Sequence, residues 1–149
     1  MSTALGSFVV GEILGADDLN IIGTWESFTV ITTGSANMTF TGRKCVLNKV
    51  CFFEIVGTAT GACTPPVTVT LPETINTQAV SSGFRCGMLD DSATQWYYGP
   101  AQRASSTTVN TRVWNASATY VTGTALTNLI PFTWAVGDLF VLSGTYQIA

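Results

Sequence analysis

"RKCVLNKVCFFEIVGT", residues 43–58, decides the fold class. Two apolar runs meet at Asn48-Lys49, and Asn tolerates the positive φ that a two-residue hairpin turn requires. In that register Leu47 faces Val50 and Val46 faces Cys51, so Cys45 and Cys51 are not directly opposite. The same period-two text, broken by turn residues, extends outward through most of the chain. Upstream stand "FTVI" (28–31), the loop "TTGSAN" (32–37) and "MTFTG" (38–42). Downstream, "VTVTLP" (67–72) alternates cleanly and stops at proline, and "AVSSGFRCGML" leads through the turn-prone "DDSA" to "TQWYYG". In "TTVNTRVWN" (107–115), Val109, Thr111, Val113 and Asn115 share one face while Asn110, Arg112 and Trp114 share the other, which leaves the core side open. "ATYVTG" and a loop lead to the closing "IPFTWAVGDLFVLSGTYQI" (130–148), where Gly137-Asp138 reads as a turn between the last two strands. About eight to ten strands at this spacing predict an all-β protein, an antiparallel, jelly-roll-like β-sandwich over residues 23–149.

Composition narrows the function classes. The 149 residues fit one domain with a sizeable core. Charged residues are 10% of the chain, against about 25% in an average soluble domain. Thr, present roughly two dozen times, fills much of the gap and suits pleated surfaces. A net charge of -3 with no basic stripe argues against nucleic acid, and the cluster of Arg43, Lys44 and Lys49 reads as a solvated hairpin end. No segment approaches the roughly 18 apolar residues that span a bilayer. The opening lacks the basic start and apolar run of a secretory signal, so synthesis in a cytoplasm and no membrane insertion are expected. Mean hydropathy of +0.35 with so few charges suggests a surface that meets other protein.

Catalytic chemistry finds little to work with. Histidine is absent, which removes Ser-His-Asp and Cys-His catalysis and imidazole metal ligands. Cys45, Cys51, Cys63 and Cys86 lack paired C-x-x-C spacing, and buried free thiols are the favoured reading over a zinc site. Asp90 and Asp91 are adjacent, so in a strand they point to opposite faces and in a turn they cap it; neither arrangement makes a glycosidase pair. No phosphate-binding glycine loop occurs. The chain is therefore read as no enzyme, with no catalytic residues, metal or cofactor. "NMT" at Asn37 and "NAS" at Asn115 match the glycosylation pattern, but without a secretory signal they read as accidental.

Aromatic side chains give the better site. Trp96 and Tyr98 share a strand face, with Tyr97 on the other. Core filling is the bland reading of that pair. The functional one is an exposed contact for a receptor or glycan ring. Trp25, Trp114 and Trp134 are expected in the core.

The remaining text is helix-compatible. Within "GEILGADDLNIIGTW" (11–25), residues 15–20 can form a turn or two, with Asp17 and Asp18 near its positive end. So short a helix must dock on something. Ile13, Leu14, Leu19, Ile21 and Ile22 supply the docking face of an attachment arm spanning residues 1–22. "VVGEILGADDLNIIGTW" resembles a short N-terminal element of bacteriophage tail and fibre proteins: Gly11, Glu12, Ala16, Leu19 and Asn20 fit, while Gly15 replaces the more usual Thr. The body is similar to β-domains that follow this element. Trp25 leads into the first strand, "VTVTLP" ends on Pro72, and the close carries Trp134, Gly137-Asp138, Gly144 and Tyr146.

This resemblance implies a virion structural protein, a homo-oligomer and often a trimer, that is joined to other virion proteins and touches a host surface glycan or protein. It transfers no catalytic residues. A tail-associated fibre, tip or adhesin-like component is the leading expectation. A capsid decoration (cement) protein and a free carbohydrate-binding module are the alternatives.

Overall fold

A computed structural model describes residues 23–76, 83–116 and 119–149. The arm 1–22, with Ile13, Leu14, Leu19, Ile21 and Ile22, lies outside the described residues. Ten strands make up the described body: β1 (Glu26–Phe28), β2 (Thr32–Thr33), β3 (Ala36–Leu47), β4 (Val50–Thr64), β5 (Thr68–Thr70), β6 (Arg85–Asp90), β7 (Gln95–Arg103), β8 (Thr108–Asn115), β9 (Thr122–Ala125) and β10 (Leu139–Gln147). Every pairing is antiparallel, and no helix occurs among the described residues. One path of hydrogen-bonded neighbours runs β1-β3-β4-β10-β6-β7-β8-β5-β2, with β9 paired to β8.

The opening hairpin forms as read. Leu47 pairs with Val50 and Val46 with Cys51. Asn48 and Lys49 both take positive φ, 43° and 64°, as a type I′ turn demands. "MTFTG" and "RKCVL" are a single strand, β3. At its start Asn37, also at positive φ, marks a register shift against β4. Its Nδ2 donates to the Ala62 carbonyl at 2.9 Å, and the Thr60 hydroxyl donates to the Asn37 carbonyl at 3.0 Å, which holds the irregularity in place.

The sheet is curled, half-way to a barrel. Its two edges are β1 and β2, which are separated in sequence by residues 29–31 alone. A nine-strand path laid flat puts its edges about 38 Å apart. Four Cα steps from Phe28 to Thr32 reach about 14 Å at most. The chain can join these edges only if the sheet bends round. That is why "FTVI" is not one strand: it breaks after Phe28 to cross from one edge to the other.

Alternating residues line the inside of the curl. β4 contributes Cys51, Phe53, Ile55 and Ala59, β10 contributes Phe140, Leu142 and Tyr146, and β8 contributes Val109, Thr111 and Val113. Val113 therefore settles the open choice on β8, and Trp114 points outward. All four cysteines are buried free thiols. Burial pushes the Cys63 thiol up to about 11 and the Cys86 thiol up to about 12.

Two expectations need correction. Only Trp134 of the three expected core tryptophans is buried, at 1% exposure; Trp25 is 47% exposed and Trp114 53%. Trp25 precedes the edge strand β1 and lies against a cation, with the Arg43 guanidinium 5.0 Å from its ring centroid. Gly137-Asp138 does turn the chain into β10, but the segment before it is an irregular loop instead of a strand.

Tyr146 pins the loop after β5. Its hydroxyl donates to the Glu73 carbonyl and accepts from the Glu73 N–H, both at 2.9 Å. Burial raises the pKa of this phenol well above the usual range, so it stays a donor. Tyr146→Phe leaves two backbone groups without their partner, and we expect a loss of about 1–3 kcal/mol in urea denaturation. A variant as stable as the parent would show that the hydroxyl contributes nothing.

Candidate binding face

The outward side of the curl has a composition unlike its core. Register lays its side chains in rows across five strands. Thr39, Thr58, Leu139, Leu89 and Trp96 form one row. Thr41, Val56, Val141, Gly87 and Tyr98 form the next. Arg43, Glu54, Ser143, Arg85 and Pro100 form the third. The first two rows carry no charge.

Trp96 and Tyr98 end the first two rows, and they are not core residues. They are 39% and 61% exposed. Their rings are near parallel, 12° apart, with centroids separated by 5.9 Å. A Cβ at Gly87 would stand 3.5 Å from the Trp96 ring and 3.7 Å from the Tyr98 ring. Both aromatics therefore lean over the one position of β6 that has no side chain. Tyr97 takes the inward place and packs against Phe132 at 5.3 Å between centroids. This inward use of Tyr97 is what turns its two neighbours out.

The third row opens into a cleft of about 530 Å³ beside β10. Trp25 and Phe52 wall one side, Arg85 the other, and Ser143 and Thr145 add hydroxyls. Gly144 and Gly83 line it without side chains. Arg43 is committed: its Nε donates to Glu54 Oε2 at 2.7 Å. Lys44 pairs with Glu73. Arg85 is exposed on β6 and has no ion-pair partner among the described residues.

Sequence reasoning did not single out Arg85 or the cleft. The available signal was an arginine preceding Cys86 and Met88 in "FRCGML", where alternation turns the charge out and the sulfur side chains in. The outward rows needed the strand order, which places β10 between β4 and β6. Among the described residues no group of three His, Cys, Asp or Glu is placed to hold a metal ion. Asp90 caps the turn after β6, its Oδ1 accepting from the Ser92 hydroxyl at 2.7 Å and the Ala93 N–H at 3.1 Å.

Comparison of the chain with protein-family models, with curated proteins and with solved structures finds no match.

Proposed function

We propose that this chain is a structural and binding component of a bacteriophage particle, tail-associated and displayed on the particle surface, and that it performs no catalysis. The observation that carries the contact role is the exposed parallel pair of Trp96 and Tyr98, set at the end of two uncharged rows. Large aromatics left in water on a strand cost stability that burial would have supplied, about 1.5–3 kcal/mol for a large side chain. A contact made on the particle surface accounts for that placement. The N-terminal motif supports the phage assignment, with residues 1–22 as the attachment arm and a homo-oligomer, most simply a trimer, as the assembled form. The same reading takes the curled sheet as a jelly-roll-like sandwich. A change of partner along β7 supports it, from β6 over residues 95–100 to β8 over residues 101–103.

The test uses particles carrying the double variant Trp96→Ala and Tyr98→Ala. Both side chains are outside the core, so the protein folds and incorporates at the parent level, and adsorption to host cells falls at least tenfold. Absence of the parent protein from purified particles would sink the virion reading. Unchanged adsorption would sink the contact role of this face.

A further inference from the structure

Resting on that reading of the outward face, we infer that its ligand is a carboxylated saccharide, with a sugar carboxylate held by the guanidinium of Arg85. Three of the nine acidic residues, Glu12, Asp17 and Asp18, precede residue 23, so the remainder of the chain balances six acidic against six basic residues. On the outward rows that balance is local. Glu54 stands in the same row as Arg85, two strand spacings or about 10 Å away, and is held by Arg43 on its other side. Arg85 is thus an exposed cation without an acid from the described body; Arg112, the next outward cation beyond Pro100, is half-buried and its Nη1 donates to the Gly123 carbonyl at 3.0 Å.

Its neighbours specify what the cation recognises. Across β7 it pairs with Pro100, which makes Tyr98 its diagonal neighbour, about 7–8 Å away and within reach of a long side chain. Across β10 it pairs with Ser143, and Thr145 follows on the same face. A planar guanidinium matches a carboxylate in bidentate fashion. The aromatic faces accept the apolar side of a sugar ring, and the two hydroxyls donate to or accept from its hydroxyl groups. The cleft of about 530 Å³ lies on the β10 side of Arg85, away from the aromatic pair, with Trp25 and Phe52 as its own aromatic walls, and its volume falls within the usual range for small-ligand sites. A neutral glycan leaves Arg85 unused. A bare polyanion leaves the aromatic pair unused.

The experiment titrates the full chain, by calorimetry, with oligogalacturonate and with a sialylated oligosaccharide. Each is run beside a neutral analogue, the methyl ester and the asialo form, and dextran sulfate serves as a saccharide polyanion that carries sulfate and no carboxylate. At least one carboxylated probe is expected to bind at least tenfold tighter than its neutral analogue. Arg85→Ala is expected to abolish that preference, and Arg85→Lys to retain part of it because the charge survives without the fork. Circular dichroism on both variants checks folding, since Arg85 is outside the core. Three outcomes overturn the inference: neither carboxylated probe binds, the neutral analogues bind as tightly, or dextran sulfate binds as tightly and loses as much in Arg85→Ala. If Arg85→Ala changes nothing while the Trp96 and Tyr98 variants still abolish adsorption, the carboxylate is wrong and the contact face stands.

Discussion

Gly99→Ala is expected to cost more than about 3 kcal/mol of folding stability. A Cβ built on Gly99 would lie 2.0 Å from the Arg112 carbonyl oxygen, 2.7 Å from its carbonyl carbon and 2.4 Å from the Val113 Cα. All three atoms are backbone of β8, so no rotamer change relieves the overlap. Ordinary overpacking costs about 1–3 kcal/mol because side chains shift to absorb it. Here β8 itself must move, and with it the Ala101–Thr111 pairing and the burial of Val113. Thr111 is tied in as well: its hydroxyl donates to the Pro66 carbonyl from a buried position. Against a total stability of about 5–15 kcal/mol, such a loss is a large fraction. Gly61→Ala is the matched control, because a Cβ there meets nothing within 4 Å; it should stay within about 0.5 kcal/mol of the parent. Urea denaturation followed by tryptophan fluorescence compares the two. Equal midpoints would show that β7 and β8 do not cross as closely as described.

The same crossing shows what the sequence makes legible and what it hides. Local pairing is legible. Asn48-Lys49 carries its own turn chemistry, and the flanking alternation then determines the β3–β4 register without help from the rest of the chain. Asp90 as a turn cap is legible for the same reason. The curl is not, because it depends on residues 29–31 joining opposite edges of a nine-strand path, and Val30 and Ile31 read locally as strand. Inside and outside are also hidden wherever both faces are apolar. "QWYY" and "RVW" each offer large side chains on either parity; Tyr97 and Val113 take the inner places because Phe132 and the core of β4 and β10 wait there. Arg85 becomes notable only when the strand order shows that its row holds an acid already taken by another arginine.

Asp138 provides the second large effect. Its carboxylate is 1% exposed, and it joins three separate pieces of chain. Oδ1 accepts from the Asp91 N–H at 3.0 Å, in the turn between β6 and β7. Oδ2 accepts from the Ala135 N–H at 2.6 Å, in the loop before β10. Its own carbonyl accepts from the Ala59 N–H of β4 at 2.9 Å. Hydrogen bonds to a buried carboxylate contribute about 1.5–3 kcal/mol each, and donors left without an acceptor add a desolvation cost. Asp138→Ala is therefore expected to lose about 3–4 kcal/mol, which for a domain of this size lowers the melting temperature by about 6–15 °C. Asp138→Asn keeps the shape and one acceptor oxygen, so one of the two N–H groups faces an amide NH2; about half the loss is expected. The order parent, Asn, Ala is the diagnostic result. If Ala and Asn melt together below the parent, the single amide oxygen of Asn holds neither loop, and both bonds require the carboxylate. If Ala and Asn both melt with the parent, the loops are held by their backbone bonds alone, including the Gly137 N–H to the Ala59 carbonyl at 3.0 Å. The outward face is a separate matter: Trp96 is two residues beyond the turn that Asp138 clamps. Loosening that turn should therefore weaken ligand binding at Trp96 and Tyr98 in proportion to the stability lost, with the core of β4 and β10 still folded.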